Sequence, residues 1–260
     1  MKKLTLLFAS LLCVAYIAVA QLKLYVYQND GTRTEFVAST VDSIAFSTIT
    51  DSPDQPDVPI KPVDPTNGYE YVDLGLPSGT KWATMNVGAD SPEEYGDYFS
   101  WGETKPKAKY NWETYKWCNG DFNDLTKYCS RSDFGIVDNK TKLEPEDDAA
   151  TVNWGGAWRM PTKEEQVELI TECNWTLDTM NGVDGYTVTG PNGNSIFLPI
   201  SGYFSDTNIE DIGYNGTYWS SELKSDYSSQ AYVIDIYNDG DISLFTNSRY
   251  YGLSIRPVLP

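Results

Sequence analysis

Histidine is absent from this chain, and its absence removes a large share of enzyme chemistry. Without an imidazole there is no Ser/His/Asp or Cys/His catalytic set and no histidine-ligated zinc. Nor is there a side chain whose ordinary pKa lets it exchange a proton near neutrality. Basic residues are scarce: 19 Lys and Arg stand against 37 Asp and Glu, a formal net charge of −18 over 260 residues. Such a field repels nucleic acid and anionic lipid and argues against both as partners. Cysteine is rare as well. There are four, Cys13, Cys118, Cys129 and Cys173, and none after position 173.

The first twenty residues hold Lys2 and Lys3, then an apolar run, then Ala18-Val19-Ala20. This is the pattern of a secretory signal peptide over 1–20, cleaved before Gln21; the run is short for a membrane span. A secreted or cell-surface chain is expected. Cys13 raises lipid attachment, but Leu12 stands where a lipoprotein signal has a small residue, which argues against a lipid anchor. Removing Lys2 and Lys3 from the 19 basic residues leaves 17 against 37 acidic ones. Three cysteines then remain, so at least one thiol is free or paired between chains. Cys118 and Cys129 could close a short loop, while Cys173 reads as a small apolar residue at a helix end.

Residues 21–50 read as a short β segment. Leu22, Leu24 and Val26 alternate with Lys23, Tyr25 and Tyr27, and Asn29-Asp30-Gly31 supplies a turn before further strand-like residues. Such a segment buries too little to be secure alone and could pair with another protein through 22–48. Residues 51–68 hold five prolines and four aspartates and read as a stiff linker.

Residues 69–260 have the size of one domain. Strand candidates begin with EYVDLGL (70–76) and KWATMNV (81–87). Later ones are GYTVTG (185–190), SIFLPIS (195–201), TYWSSEL (217–223), AYVIDIY (231–237), DISLFT (241–246) and LSIRPVL (253–259). Two helices are expected. The first begins at Pro145 with Glu146, Asp147 and Asp148 in its first turn, where the helix dipole favours negative charge. The second is capped by Thr162 with Glu165 three residues on, and turns Val167, Ile170 and Cys173 inward. Many short strands with two helices grouped early define an α+β fold.

Between the helices lies NWGGAWRMPT, residues 153–162. Gly155 and Gly156 permit a tight turn, Trp154 and Trp158 are large enough to fill space between helix and sheet, and Pro161 keeps Met160 extended. Arg159 has two readings: a guanidinium satisfying loop backbone, or a ligand contact. The first takes precedence beside capping signals. The stretch reads as packing. Trp219 reads as core, and so by default do Trp101, Trp112 and Trp117, although an exposed indole in their insertion could stack on a sugar ring.

WRMPTKEEQVELI resembles the helix start of the superfamily that unites C-type-lectin-like and formylglycine-generating-enzyme-like domains. GTYWSSEL and RYYGLSIRPV, with Gly252 and Arg256, resemble its closing strands. YVDLGLPSGTKWATMNVGADSPEEYGDYFSWGE is similar to the start of the secreted bacterial major paralogous domain family first named from Fibrobacter. The likeness spans residues 69–260 and implies a C-type-lectin-like domain of short strands with two main helices. The leader and linker resemble those of exported proteins of gut Bacteroidetes. The fold hosts enzymes, adhesins and binding proteins alike, so it does not decide activity.

The resemblance implies a ligand face on the C-terminal loops and strands, residues 218–258. Candidate ligand-binding residues there are Tyr237, Asn238, Asp239, Asp241, Asn247, Arg249 and Tyr250, with Tyr227 and Tyr251 exposed beside them. Tyrosine supplies rigid contact area, and Asn and Asp supply adaptable hydrogen bonds. Asn238 to Asp241 also read as hairpin turn chemistry, and Arg249 and Tyr250 are equally open to packing. The formylglycine-generating reaction needs a C-terminal cysteine pair, which has no counterpart here. Gln55-Pro56-Asp57 and Glu144-Pro145-Glu146 resemble a lectin calcium triplet but lie in the linker and at a helix start. No catalytic residue, metal or cofactor is assigned. The expectation is a non-catalytic, adhesin-like module for a glycan or surface protein, with an assembly subunit of a surface appendage as the alternative.

Overall fold

The computed structural model describes residues 23–27, 33–37 and 64–260. The expected signal peptide, Cys13, the strand-like residues after 37, most of the linker and Gln55-Pro56-Asp57 lie outside the described residues. The chain divides into two units, Met1–Ile60 and Lys61–Pro260. In the first, β1 (Lys23–Tyr27) and β2 (Arg33–Val37) form an antiparallel pair with Tyr27 opposite Arg33.

The second unit is mixed and rich in sheet. Its two α-helices among the described residues are α1 (Ala149–Trp154) and α2 (Lys163–Glu172). Neither is long and apolar enough to cross a membrane. Short β3 (Tyr71–Asp73) and β4 (Lys81–Ala83) pair, and β4 pairs in turn with the C-terminal strand, whose range is Val258–Leu259. β5 (Asn174–Met180), β6 (Val183–Thr189) and β7 (Ser195–Pro199) form an antiparallel sheet. The β5–β6 loop is Asn181-Gly182, both at positive φ (50° and 86°), the geometry of a two-residue hairpin turn. β8 (Tyr203–Ser205) pairs with β9 (Asn208–Glu210). The longest strands, β10 (Asn215–Leu223), β11 (Gln230–Tyr237) and β12 (Ile242–Ser248), make an antiparallel sheet in that order; Val258–Leu259 is β13.

The β10–β12 sheet separates two apolar clusters, which the two-residue period of its strands explains. On one face Tyr218, Ile234 and Ile236 join Leu169 of α2, Tyr186, Val188 and Leu198. On the other, Trp219, Val233 and Ala231 join Trp101, Trp154, Trp158 and Met160. This second face is apolar only at one end. Beyond Val233 the same side of β11 carries Asp235 and then Tyr237, opposite Thr217 and Asn215 of β10.

NWGGAWRMPT is packing. Trp154 stacks on Tyr69 at 3.9 Å and meets Trp158 edge-on at 5.0 Å. Gly155 and Gly156 both take positive φ (66° and 61°). Residues 64–68, expected in the linker, close this turn. The Ala157 amide donates to Pro65 O (2.8 Å), Trp158 Nε1 to Thr66 O (2.6 Å) and Asn67 Nδ2 to Trp154 O (2.6 Å). Arg159 forms a two-pronged ion pair with Glu165 (2.7 and 2.6 Å) and also donates to Met160 O.

Three local expectations need correction. Pro145–Asp147 is a 3-10 turn, and α1 begins after it with Asp148 as its cap. Asp147, expected as a first-turn acid, is buried and accepts from Tyr128 Oη (2.8 Å) and Lys127 Nζ (2.6 Å). The Thr162–Glu165 capping box is present and Ile170 and Cys173 pack against the core as expected, but Gln166 and Leu169 are the fully buried residues of α2 and Val167 is left 38% exposed. Gln166 is held inside because its amide donates to Tyr218 O (3.0 Å). Cys118, Cys129 and Cys173 are free thiols; Cys118 Sγ and Cys129 Sγ each donate to a nearby carbonyl at 3.1 Å, and Cys173 is half-buried at the end of α2.

Candidate ligand-binding site

The expected site residues do not form one surface. Arg249 is 0% exposed, contrary to the expectation of a surface hot spot. Its Nε donates to Tyr115 Oη (2.8 Å), and its terminal nitrogens donate to Tyr128 O and Ser228 O (both 3.0 Å) and Lys127 O (3.1 Å). The guanidinium also lies 4.9 Å from the Trp101 ring centre. A planar, five-donor group is what a bundle of inward-facing loop carbonyls requires, so its hydrogen bonds serve the fold. Tyr250 is half-buried, packed between Trp112 (5.0 Å) and Tyr251 (4.3 Å). Tyr227 is exposed and packs against Phe134.

Asn238, Asp239 and Asp241 are exposed and form the β11–β12 turn. The Tyr237 amide donates to Asp241 O (2.8 Å), the Asp241 amide to Asp239 Oδ1 (3.2 Å) and Asn238 Nδ2 to Gly213 O (2.9 Å). Turn chemistry therefore occupies them. Trp101 is fully buried and Trp112 and Trp117 are partly buried against neighbouring rings, so the insertion presents no open indole platform.

Tyr237 and Asn247 both line a cavity of ≈ 210 Å³ where the apolar face of the β10–β12 sheet gives way to polar residues, at opposite ends of it. Asn215 of β10, Asp235 of β11 and Phe245 of β12 lie on the same side of the sheet and line it too. Tyr203 of β8, Asp211 of the β9–β10 loop and Tyr251 complete the wall, with Tyr203 edge-on to Tyr251 at 5.4 Å. Phe245 is 60% exposed. No lysine or arginine lines the cavity.

Two buried polar groups give it its chemistry. Asn215 is 5% exposed and Asp235 6%. The Thr217 hydroxyl stands 2.8 Å from Asn215 Oδ1 and 2.7 Å from Asp235 Oδ1, and its single proton can serve only one of them. Burial raises the Asp235 carboxyl above its ordinary range, and the nearby Asp241 charge adds to this, while Thr217 and Asn215 offset part of it. No hydrogen bond of ordinary length and angle reaches the Asn215 amide nitrogen, which faces Asp235 closely enough to offset part of the rise in its carboxyl. A buried donor left unpaired costs on the order of 1–3 kcal/mol, so such a group is an invitation to an acceptor from outside.

A smaller cavity of ≈ 140 Å³ is lined by Val72, Met180, Ile196 and Phe197 among others and has no charged residue in its wall. Among the described residues, no group of three or more Cys, Asp or Glu is arranged to hold a metal ion. No family model, curated protein or solved structure matches the chain.

Proposed function

We propose that the chain is an exported, non-catalytic, adhesin-like binding protein with a C-type-lectin-like domain over residues 69–260, and that its ligand enters the cavity on the β10–β12 sheet. The observation that carries this reading is the buried Asn215 amide, without a hydrogen bond of ordinary length and angle, beside Asp235 in an aromatic-walled concavity. Rings of Tyr203, Tyr237, Tyr251 and Phe245 offer faces for an apolar ring surface, and Asn215, Asn247, Asp211 and Asp235 offer hydrogen bonds at fixed positions. A saccharide, with apolar ring faces and polar edges, suits this lining better than a flat protein epitope. A binding role is also consistent with a histidine-free chain whose carboxylates show no designated acid–base pair.

A glycan array probed with the full chain tests the reading. Binding to a restricted set of saccharides is expected, with at least a tenfold loss in the double variant Phe245→Ala/Asn247→Ala. Undiminished binding by that variant overturns the assignment of the cavity. Turnover of a bound saccharide, lost on changing Asp235 or Asp211, overturns the non-catalytic part.

A further inference from the structure

We propose that the saccharide held in this cavity carries a free, protonated amino group, seated between the carboxylates of Asp235 and Asp211 and the rings of Tyr203, Tyr251 and Phe245. The inference rests on the reading of the cavity as a binding site and specifies what it selects.

The lining is anionic and has no internal counter-charge. Asp235 and Asp211 both contribute to it, and among the described residues neither is in an ion pair. The nearest guanidinium along the chain, Arg249, is committed to three backbone carbonyls and Tyr115. An anionic ligand is repelled here. A neutral sugar leaves the buried Asp235 without a compensating charge, whereas an ammonium group supplies one in a place water reaches poorly.

The aromatic residues point the same way. Three tyrosines and a phenylalanine share the wall with the carboxylates, and the face of such a ring attracts a cation, more strongly when the pair is shielded from water. Neutral sugars stack on aromatic rings too, but they bring no counter-charge to the buried Asp235 carboxylate beside the stack, with the exposed Asp211 at the rim.

The Asn215 nitrogen, without a hydrogen bond of ordinary length and angle, adds a requirement for an acceptor oxygen close to the amine. A hexosamine meets both demands, with an amino group and a hydroxyl on adjacent ring carbons. The cavity of ≈ 210 Å³ is open to solvent on one side, so a ring can enter it while its substituents stay outside.

The test is a nuclear magnetic resonance titration of the full chain, following the side-chain amides of Asn215 and Asn247, at a pH where the sugar amine is protonated. The probes are glucosamine, N-acetylglucosamine, glucose and Nα-acetyl-lysine amide. Glucosamine is expected to shift both signals and to bind at least tenfold more tightly than the two neutral sugars. Asp235→Asn is expected to erase that preference while the protein stays folded; Asp211→Asn, on a surface loop, gives the same readout should the first variant unfold. Equal affinity for all three sugars overturns the amine inference and leaves the binding reading standing. Tighter binding of the lysine derivative than of glucosamine overturns the saccharide assignment. Silence of both amide signals toward every probe, together with an empty glycan array, overturns the binding reading itself and this inference with it.

Discussion

Thr217 and Asp235 face each other across β10 and β11, with the threonine hydroxyl 2.7 Å from a carboxylate oxygen that is almost fully buried. The neighbouring position on the same side of β11 is Val233, wholly core, so the acid sits where the apolar face would otherwise continue. Its carboxyl is raised above the ordinary 3.8, chiefly by burial. The folded state therefore holds the proton more tightly than the unfolded chain. Stability from this group is complete below the unfolded value and is lost as pH rises through the folded one. Asp235→Asn keeps the acceptor for Thr217 and removes the charge. At pH 7 it is expected to stabilise the protein and raise its Tm. The difference is expected to vanish below about pH 4. Thermal melts of both proteins across pH check this; an Asn variant less stable at pH 7 contradicts it.

Arg249 makes the opposite prediction. Its four hydrogen bonds reach segments at 115, 127–128 and 228, which among the described residues no other side chain joins in this way. Arg249→Ala strands several buried carbonyls and is expected to cost more than about 3 kcal/mol; Arg249→Lys recovers little, because a single ammonium cannot reproduce the fork. Denaturant midpoints at constant m give the answer. A variant of wild-type stability that had lost only ligand binding would restore Arg249 to the site.

These two residues also show what the sequence discloses. AYVIDIY reads as a strand in the sequence, but its apolar residues fall on both faces and mark neither as the site side; Asp235 stands out there only as an acid inside an apolar run. Tyr237 and Asn247 belong to neighbouring strands of one hairpin, but Asn247 pairs with Ala231, so they line opposite ends of the cavity and no local reading joins them. Tyr203 and Asp211 reach the same cavity only because β8, β9 and their loop fold back over the sheet, a long-range pairing with no local mark. Arg249 was misread because an arginine among tyrosines and asparagines looks like a recognition residue, whereas its partners are carbonyls more than twenty positions away. β5 escapes the sequence reading although Trp175 and Leu177 alternate with Asn174, Thr176 and Asp178, because the strand is short of apolar residues and most of it is exposed. The Asn181-Gly182 turn that follows it was the available clue.

Glu165 links the second helix to the preceding loop and sets an acid limit. It accepts from Arg159, from the Thr162 amide (2.8 Å) and from Thr80 Oγ1 (2.9 Å). Burial alone would raise its carboxyl, but these partners, Arg159 foremost, hold it at about 2 against an ordinary 4.5. A depressed carboxylate stabilises above its unfolded pKa and gives that stability up as pH falls toward the folded one. The loss is therefore expected between about pH 4.5 and pH 2 and amounts to at most about 3 kcal/mol. Glu165→Gln is expected to be less stable at pH 7 and to show a flatter acid limb over that window. Parallel acid limbs in the two proteins would remove Glu165 as its cause.

Gly156 tests how tightly residues 64–68 belong to the domain. Its φ of 61° is left-handed, and a Cβ built there would stand 2.4 Å from Pro65 O. Gly182, in the β5–β6 turn, has φ 86° but open space around its Cβ position. Gly182→Ala carries conformational strain alone, about 1–2 kcal/mol. Gly156→Ala adds a clash with backbone whose neighbouring groups bond to Ala157, Trp158 and Trp154. It is expected to destabilise by at least about 1 kcal/mol more than Gly182→Ala and to speed hydrogen exchange at the Ala157 amide, whose acceptor is that same Pro65 carbonyl. Exchange at Ala157 unchanged by Gly156→Ala would mean that the 64–68 segment yields without losing its hold on the turn.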